Sequence, residues 1–245
     1  MDYNRYQHII VENKDEILRL TLNRPDRMNA VTPALHTELT EIFADIRKDK
    51  GVKVVTITGA GKAFCAGADL KEPIPDRAAM DRVFAEAREL LVNIMEIDRP
   101  IIAGVNGAAA GLGATLALFA DIVIASDRAK IGDTHVKVGL AAGDGGAVIW
   151  PILVGVNKAK EMLMTGEVIG AEEALRIGLF NQVVPHEDLD RAVMDMAVKL
   201  CLGHQPAIRS TKKAVNLYVK WMLNQVFDYS LQMEYQCLSD MMAPK

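Results

Sequence analysis

Between Pro100 and Asp121 the chain runs IIAGVNGAAAGLGATLALFA, twenty residues (101–120) without a charged side chain. An apolar stretch of about 20 residues is long enough to cross a bilayer as one helix. Gly104, Gly107, Gly111, Gly113 and the polar Asn106 interrupt this one, and Asp121 follows at once. Each glycine inside a helix costs about 1 kcal/mol relative to alanine. The run therefore divides into a buried strand (RPIIAGVNG), a glycine-rich turn and a short buried helix (GLGATLALFA), so no membrane span is expected. A strand and a helix that are apolar on every side are the unit of an α/β core.

The flanking sequence continues that pattern. His8–Glu12 and Ile17–Asn23 read as a hairpin, with Leu18, Leu20 and Leu22 alternating with Arg19 and Thr21. Thr32 followed by Pro33 is an N-cap and first-turn signal. Leu35, Leu39, Ile42, Phe43 and Ile46 then mark one face of a helix that ends by Gly51. KVVTITG (53–59) is a continuous apolar strand, AGKAFCAGADL a loop, and 77–97 a helix. DIVIAS and AKIG give two more strands. From residue 146 the pattern is helical (GAVIWPILVG, NKAKEMLMTG, GAEEALRIG, 187–203, 206 onward), interrupted by the strand LFNQVVP at 179–185. The expectation is one structural unit: an α/β core over 1–185 carrying the site, and a helical oligomerisation region over 186–245.

Half of the 245 residues are hydrophobic, enough for a sizeable core, and the net charge is −4 with 28 basic and 32 acidic residues mixed along the chain. Neutralising phosphates requires a basic face, so neither nucleic acid nor a membrane surface is an expected partner. The basic run Arg209, Lys212, Lys213 and Lys220 reads as a solvated helix face, with phosphate contact in a neighbouring subunit as the alternative. Cys65, Cys201 and Cys237 are odd in number and form no CxxC pair, which fits small apolar residues in a reducing compartment. The N-terminal segment has no apolar core flanked by basic residues, so a cytoplasmic location is expected.

Two loops, AGKAFCAGADL and NGAAAGLGATL, each follow a strand and lead towards a helix. Small residues let a backbone approach a ligand closely, and two such loops can aim one N–H each at a single oxygen. Either loop alone would be explained by tight helix–strand packing. Gly111-Leu112-Gly113 lacks the third glycine of a dinucleotide fingerprint and lies mid-chain, so that fold is rejected. The segment GDTHVKVGLAAGDGGAVIW sets His135 and Asp144 nine residues apart. An imidazole with an ordinary pKa of about 6.5 suits proton transfer near neutrality, and a carboxylate can orient it. Asp144 precedes two glycines and an alanine, which is also an N-cap pattern. The two roles are compatible, since one oxygen can cap while the other faces a pocket. Cys65 is a nucleophile or a small filler, Trp150-Pro151 a helix wedge, and Tyr229, Glu234 and Tyr235 are candidates to cap the pocket from the C-terminal helices.

Taken together, LTLNRPDRMNAV (20–31), GKAFCAGADL (61–70), RPIIAGVNGAAAGLGATLALFADIVIAS (99–126) and LMTGEVIGAEEALRIGLFNQVVP (163–185) resemble the enoyl-CoA hydratase/isomerase (crotonase) superfamily. The resemblance implies an α/β spiral of ββα units with a C-terminal helical trimerisation region, assembled as a homotrimer or a dimer of trimers. It implies an acyl-CoA substrate and no cofactor or metal beyond the coenzyme A of the substrate. By motif, the oxyanion donors are the N–H groups of Ala68 and Leu112. Coenzyme A contacts fall at Arg27, Asn29, Ala30, Lys62, Ala66, Asp69 and Leu70, with Gly111 and Thr115 beside the substrate. Thr115 and His135 occupy the positions of the two hydratase glutamates, and a threonine has no useful acid strength. Asp144, with His135, is then the catalytic candidate, and isomerisation is favoured over hydration. The His–Asp spacing also resembles the camphor-pathway β-diketone hydrolase branch, which gives C–C hydrolysis as an alternative. A non-catalytic RNA- or protein-binding member is the third.

Overall fold

The computed structural model describes residues 1, 3–72 and 74–242. The N-terminal hairpin pairs β1 (Ile9–Lys14) with β2 (Ile17–Leu22) in antiparallel register, Ile9 opposite Leu22. Asp15 and Glu16 both have positive φ, 53° and 64°, the primed two-residue turn that matches the twist of its strands. β3 (Val54–Gly59), β5 (Ile101–Val105), β7 (Ile122–Ser126) and β10 (Gln182–Val184) extend this sheet in parallel, in the order β1-β2-β3-β5-β7-β10. A second, smaller sheet has the order β4-β6-β8-β9, from Ala63–Cys65, Ala108–Ala110, Lys130–Gly132 and Ile169–Gly170.

The two sheets alternate along the chain. β3 leads into β4 and helix α2 (Arg77–Glu96), β5 into β6 and α3 (Leu112–Leu118), and β7 into β8 and the following helices. These repeats are the expected ββα spiral, and AGKAFCAGADL, expected as a loop, contributes the short strand β4. α1 (Pro33–Lys48) starts as its sequence requires: Thr32 Oγ1 accepts the Leu35 N–H at 3.3 Å, and Pro33 occupies the first turn. Leu35, Leu39, Ile42, Phe43 and Ile46 are all buried, each contributing about 1.5–3 kcal/mol of transfer free energy. α1 and α2 cover one face of the large sheet. α7 (Leu189–Leu202) covers the other, setting Leu189, Val193 and Ala197 on Ile17, Val54, Ile102 and Ile124. Burial on both faces explains why β3 and β5 read as near-continuous apolar runs.

Short helices α4 (Gly146–Val154), α5 (Val156–Thr165) and α6 (Ala171–Arg176) follow the second sheet. The last described element is one helix, α8 (Gln205–Met242), 38 residues long and so about 57 Å from end to end. The basic run on α8 is only in part the solvated face expected of it, with Lys213 exposed and the others partly buried. Lys212 Nζ reaches Asp121 at 2.7 Å and the Arg99 carbonyl at 2.8 Å, and Lys220 reaches Glu96 at 2.7 Å. Lys213 lies 3.4 Å, and Arg209 3.8 Å, from Asp98. Acids lie beneath the helix, so these cations hold it to the core. Among the described residues no helix is long and apolar enough to cross a membrane.

Candidate active site

β4 and β6 are parallel neighbours, so the loops that leave them lie side by side. Gly67 (φ 85°) allows the contact: a Cβ placed on it would fall 2.8 Å from the Ala110 carbonyl oxygen and 3.7 Å from Gly111 Cα. Val31 clamps the first loop by giving its N–H to Gly67 O and accepting from Asp69 N, at 2.8 and 2.9 Å. In that parallel bridge Val31 bonds the two neighbours of Ala68, so the N–H of Ala68 itself points to the opposite side. Leu112 is the first residue of α3, and its N–H has no carbonyl one turn back within the helix. Ala68 and Leu112 line the same cavity, about 290 Å³ in volume.

His135, Asp144 and Glu234 line that cavity too. After β8 the chain turns through Asp133 into a short 3-10 helix that begins at His135. His135 Nδ1 lies 2.7 Å from Asp133 Oδ1, and its Nε2 lies 3.2 Å from Asp144 Oδ2 and 3.8 Å from Glu234 Oε1. Thr115 Oγ1 donates to Asp144 Oδ1 at 2.9 Å. A Cβ on Gly111 would be 3.5 Å from His135 Cε1, which places the ring against the second loop. Burial disfavours an imidazolium, but the charge of Asp144 and hydrogen bonds to Asp133 and Asp144 outweigh it and raise the His135 pKa well above its ordinary value. Asp144 shows the reverse: burial opposes its ionisation, yet the His135 cation and hydrogen bonds from His135 and Thr115 hold its pKa below the usual range. Burial, followed by the Asp144 charge, pushes Glu234 up to about 8. Near neutrality the pocket therefore holds an ionised Asp144, a cationic His135 and a neutral Glu234.

Asp133, His135 and Asp144 have the composition of a metal site and lie close together. The two carboxyls, however, face opposite nitrogens of one ring. A carboxyl–imidazole–carboxylate chain carries protons, whereas a cation needs ligands that converge on one point.

The structure joins Ala68, Asp69, Leu70, Leu112, His135 and Asp144 at one cavity. Thr115, fully buried, is a hydrogen-bond donor to Asp144 rather than a substrate contact. The expected cap does not form: Gly145 (φ 125°) is the N-cap of α4, no side chain caps that helix, and Asp144 gives both oxygens to Thr115 and His135. Arg27 and Lys62 are exposed and Ala66 is half-buried, whereas Asp69 pairs with Arg24 at 3.0 Å. Asn29 and Ala30 are buried. The Asn29 amide is occupied by the carbonyls of Ala60 and Ala63 and the Arg24 N–H, so it can meet a ligand only through its main chain. Of the C-terminal candidates only Glu234 reaches the pocket. Tyr229 is exposed, and Tyr235 donates to Asp81 at 2.5 Å. Cys65 is the filler, buried and with its thiol pushed up to about 12 by desolvation. Sequence reasoning missed Asp133, although the triplet Asp133-Thr134-His135 carries an imidazole and a carboxyl on one side of a turn.

Apolar side chains of Val83, Phe84, Leu140, Leu231 and Leu238 form the far wall. The chain matches the family described as enoyl-CoA hydratase/isomerase over residues 12–242. It is similar to (E)-benzylidenesuccinyl-CoA hydratase of Thauera aromatica, 38% identical over 210 residues, which span 85% of this chain and 82% of that one. It is also similar to crotonyl-CoA hydratase of Syntrophomonas wolfei, 38% identical over 214 residues, 86% of this chain and 82% of that one. A solved enoyl-CoA hydratase/isomerase from Mycobacterium paratuberculosis superposes with a TM-score of 0.92 at 35% identity, covering 96% of this chain and 95% of that one.

Proposed function

The chain belongs to the enoyl-CoA hydratase/isomerase family, and from that premise we propose that it isomerises an enoyl-CoA thioester through an enolate. The thioester carbonyl sits between the N–H groups of Ala68 and Leu112, which receive the negative charge as it develops. One such donor is typically worth about 2.7–4 kcal/mol of barrier. Asp144 is the base. The observation that carries the reading is its placement: an ionised carboxylate on the wall of the cavity that holds both amides, oriented by Thr115 and His135. The coenzyme lies along the first loop, past Ala66, Asp69 and Leu70. Incubation with a β,γ-enoyl-CoA should raise the absorbance of the conjugated product. Asp144→Asn should lower that rate about 10²-fold or more, and turnover that survives the substitution would remove Asp144 from the role.

Hydration is the second reading. It is favoured by the relatives, whose names describe hydratases, and opposed by Thr115 and His135 at the positions of the hydratase glutamates. Loss of absorbance from crotonyl-CoA in place of a gain from the β,γ isomer would establish it. C–C hydrolysis of a β-diketone needs His135 to activate water, and both of its ring nitrogens already face carboxyls. RNA binding has little to draw on, since the basic side chains of α8 are paired with acids of the core. Assembly as trimers is supported by the exposed flank of α8, where Val215, Leu217, Tyr218 and Trp221 face outward; light scattering tests it.

A further inference from the structure

Helix α8 brings one carboxyl into the cavity. Glu234 is 8% exposed, its Oε1 is 3.8 Å from His135 Nε2, and its Oε2 is buried beside the backbone of Gly143, with no side-chain hydrogen-bond partner among the described residues. Its position is fixed from below. A Cβ on Gly143 would lie 2.5 Å from Glu234 Cβ, and Ser230 Oγ donates to the Gly143 carbonyl at 3.2 Å. The helix is thus seated on the residue that precedes Asp144. A carboxyl this deeply buried, with no side chain donating to Oε2, is costly to keep, and the isomerisation proposed above leaves this one without a task.

We propose that Glu234 is a second catalytic residue, a neutral carboxylic acid that protonates the distal carbon of the substrate while Asp144 deprotonates the carbon beside the thioester. This rests on the reading of Asp144 as base. With a β,γ-enoyl thioester, Asp144 takes the α-proton. The C–H pair becomes a double bond and the carbonyl becomes an enolate facing Ala68 and Leu112. As the carbonyl reforms, the γ-carbon takes the Glu234 proton with the electron pair of the former β,γ double bond, leaving the α,β-enoyl product. Asp144 is then neutral and Glu234 ionised. His135 Nε2, within 3.2 and 3.8 Å of the two, gives its proton to Glu234 and receives that of Asp144. Asp133 holds the other end of the ring, and between turnovers the acidic protons of the three groups exchange with solvent. Two groups pushed apart in pKa within one pocket are the pattern of an acid–base pair.

Ionised Asp144 and cationic His135 face Glu234 from the loop beside it, as does Asp133. His36 of α1, paired with Glu86 of α2, and Asp69 and Glu72, paired with Arg24, face the cavity from its other walls. Activity should fall as pH rises past about 8, when Glu234 loses its proton.

The test is turnover of a β,γ-enoyl-CoA by the full chain in D2O. Wild-type product should carry solvent deuterium at the γ-carbon. Glu234→Gln should lower kcat by about 10²-fold or more with little change in KM, abolish the alkaline limb, and return the substrate's own proton in the residual product. Circular dichroism and acyl-CoA binding should be unchanged. Glu234→Asp, which keeps the acid, should recover part of kcat and the limb. Full activity in Glu234→Gln, or wild-type product without solvent label, overturns the proposal. Inactivity of the wild type on this substrate, or an active Asp144→Asn, overturns instead the reading on which it rests. Should the Gln variant not fold, the wild-type label and the Asp variant decide.

Discussion

Replacing Glu234 by glutamine should change how stability depends on pH, whatever reaction the site performs. In the unfolded chain this carboxyl has an ordinary pKa of about 4.3, while in the folded protein it is pushed up to about 8. Between these values the unfolded chain has released the proton and the folded chain keeps it. The contribution of the group is therefore fully present below about pH 4.3 and is lost as pH rises towards 8, at about 1.4 kcal/mol per pH unit. Over the interval this amounts to about 5 kcal/mol, comparable with the ~5–15 kcal/mol net stability of a typical domain. Glutamine has no proton to lose and lacks the slope. Urea denaturation of both proteins at about pH 5, 6, 7 and 8 gives the difference directly. The stability of Glu234→Gln relative to wild type should grow by about 1.4 kcal/mol per pH unit, favouring the variant at the alkaline end. Parallel pH dependences would refute the reasoning, since they require Glu234 to be ionised in both states.

Thr115→Val keeps the shape and removes the hydroxyl donor to Asp144. A hydrogen bond to a charged group is worth about 1.5–3 kcal/mol, so the acidic limb of the kcat/KM profile should move up by about one to two pH units. Gly67→Ala must place a Cβ 2.8 Å from the Ala110 carbonyl oxygen at a φ of 85°. It should separate the two loops and abolish turnover, with calorimetry reporting weakened acyl-CoA binding. Cys65, buried with its thiol at about 12, should resist a thiol reagent at neutral pH that labels the half-buried Cys201 and Cys237.

Much of the framework was legible because its signals are local. The Thr32-Pro33 start of α1, the Leu18–Leu20–Leu22 strand and the strand–turn–helix of 101–120 each follow from neighbours within one turn or one hairpin. The site divides differently. Ala68 and Leu112 were expected from motif, and they line one cavity because strands that run side by side place their following loops side by side. Asp144 read as a catalyst that could also cap, and what decides against the cap is the backbone of the next residue: Gly145 adopts φ 125° and takes the N-cap position, leaving the Asp144 side chain free to turn inward. The charge on α8 misled because its partners, Asp98, Asp121 and Glu96, lie about a hundred residues earlier. Glu234 stands 99 residues beyond His135 in sequence. Only the packing of a long helix onto Gly143 brings the two together, and no spacing rule encodes it.

The two candidate oxyanion donors belong to the main chain, with a consequence for how such a protein changes over generations. Any substitution at Ala68 or Leu112 other than proline leaves its N–H where it was, so mutation seldom erases the carbonyl grip. The proton-moving groups are side chains, each open to replacement by a single change of codon. A lineage can therefore exchange one reaction for another while its hold on the thioester persists.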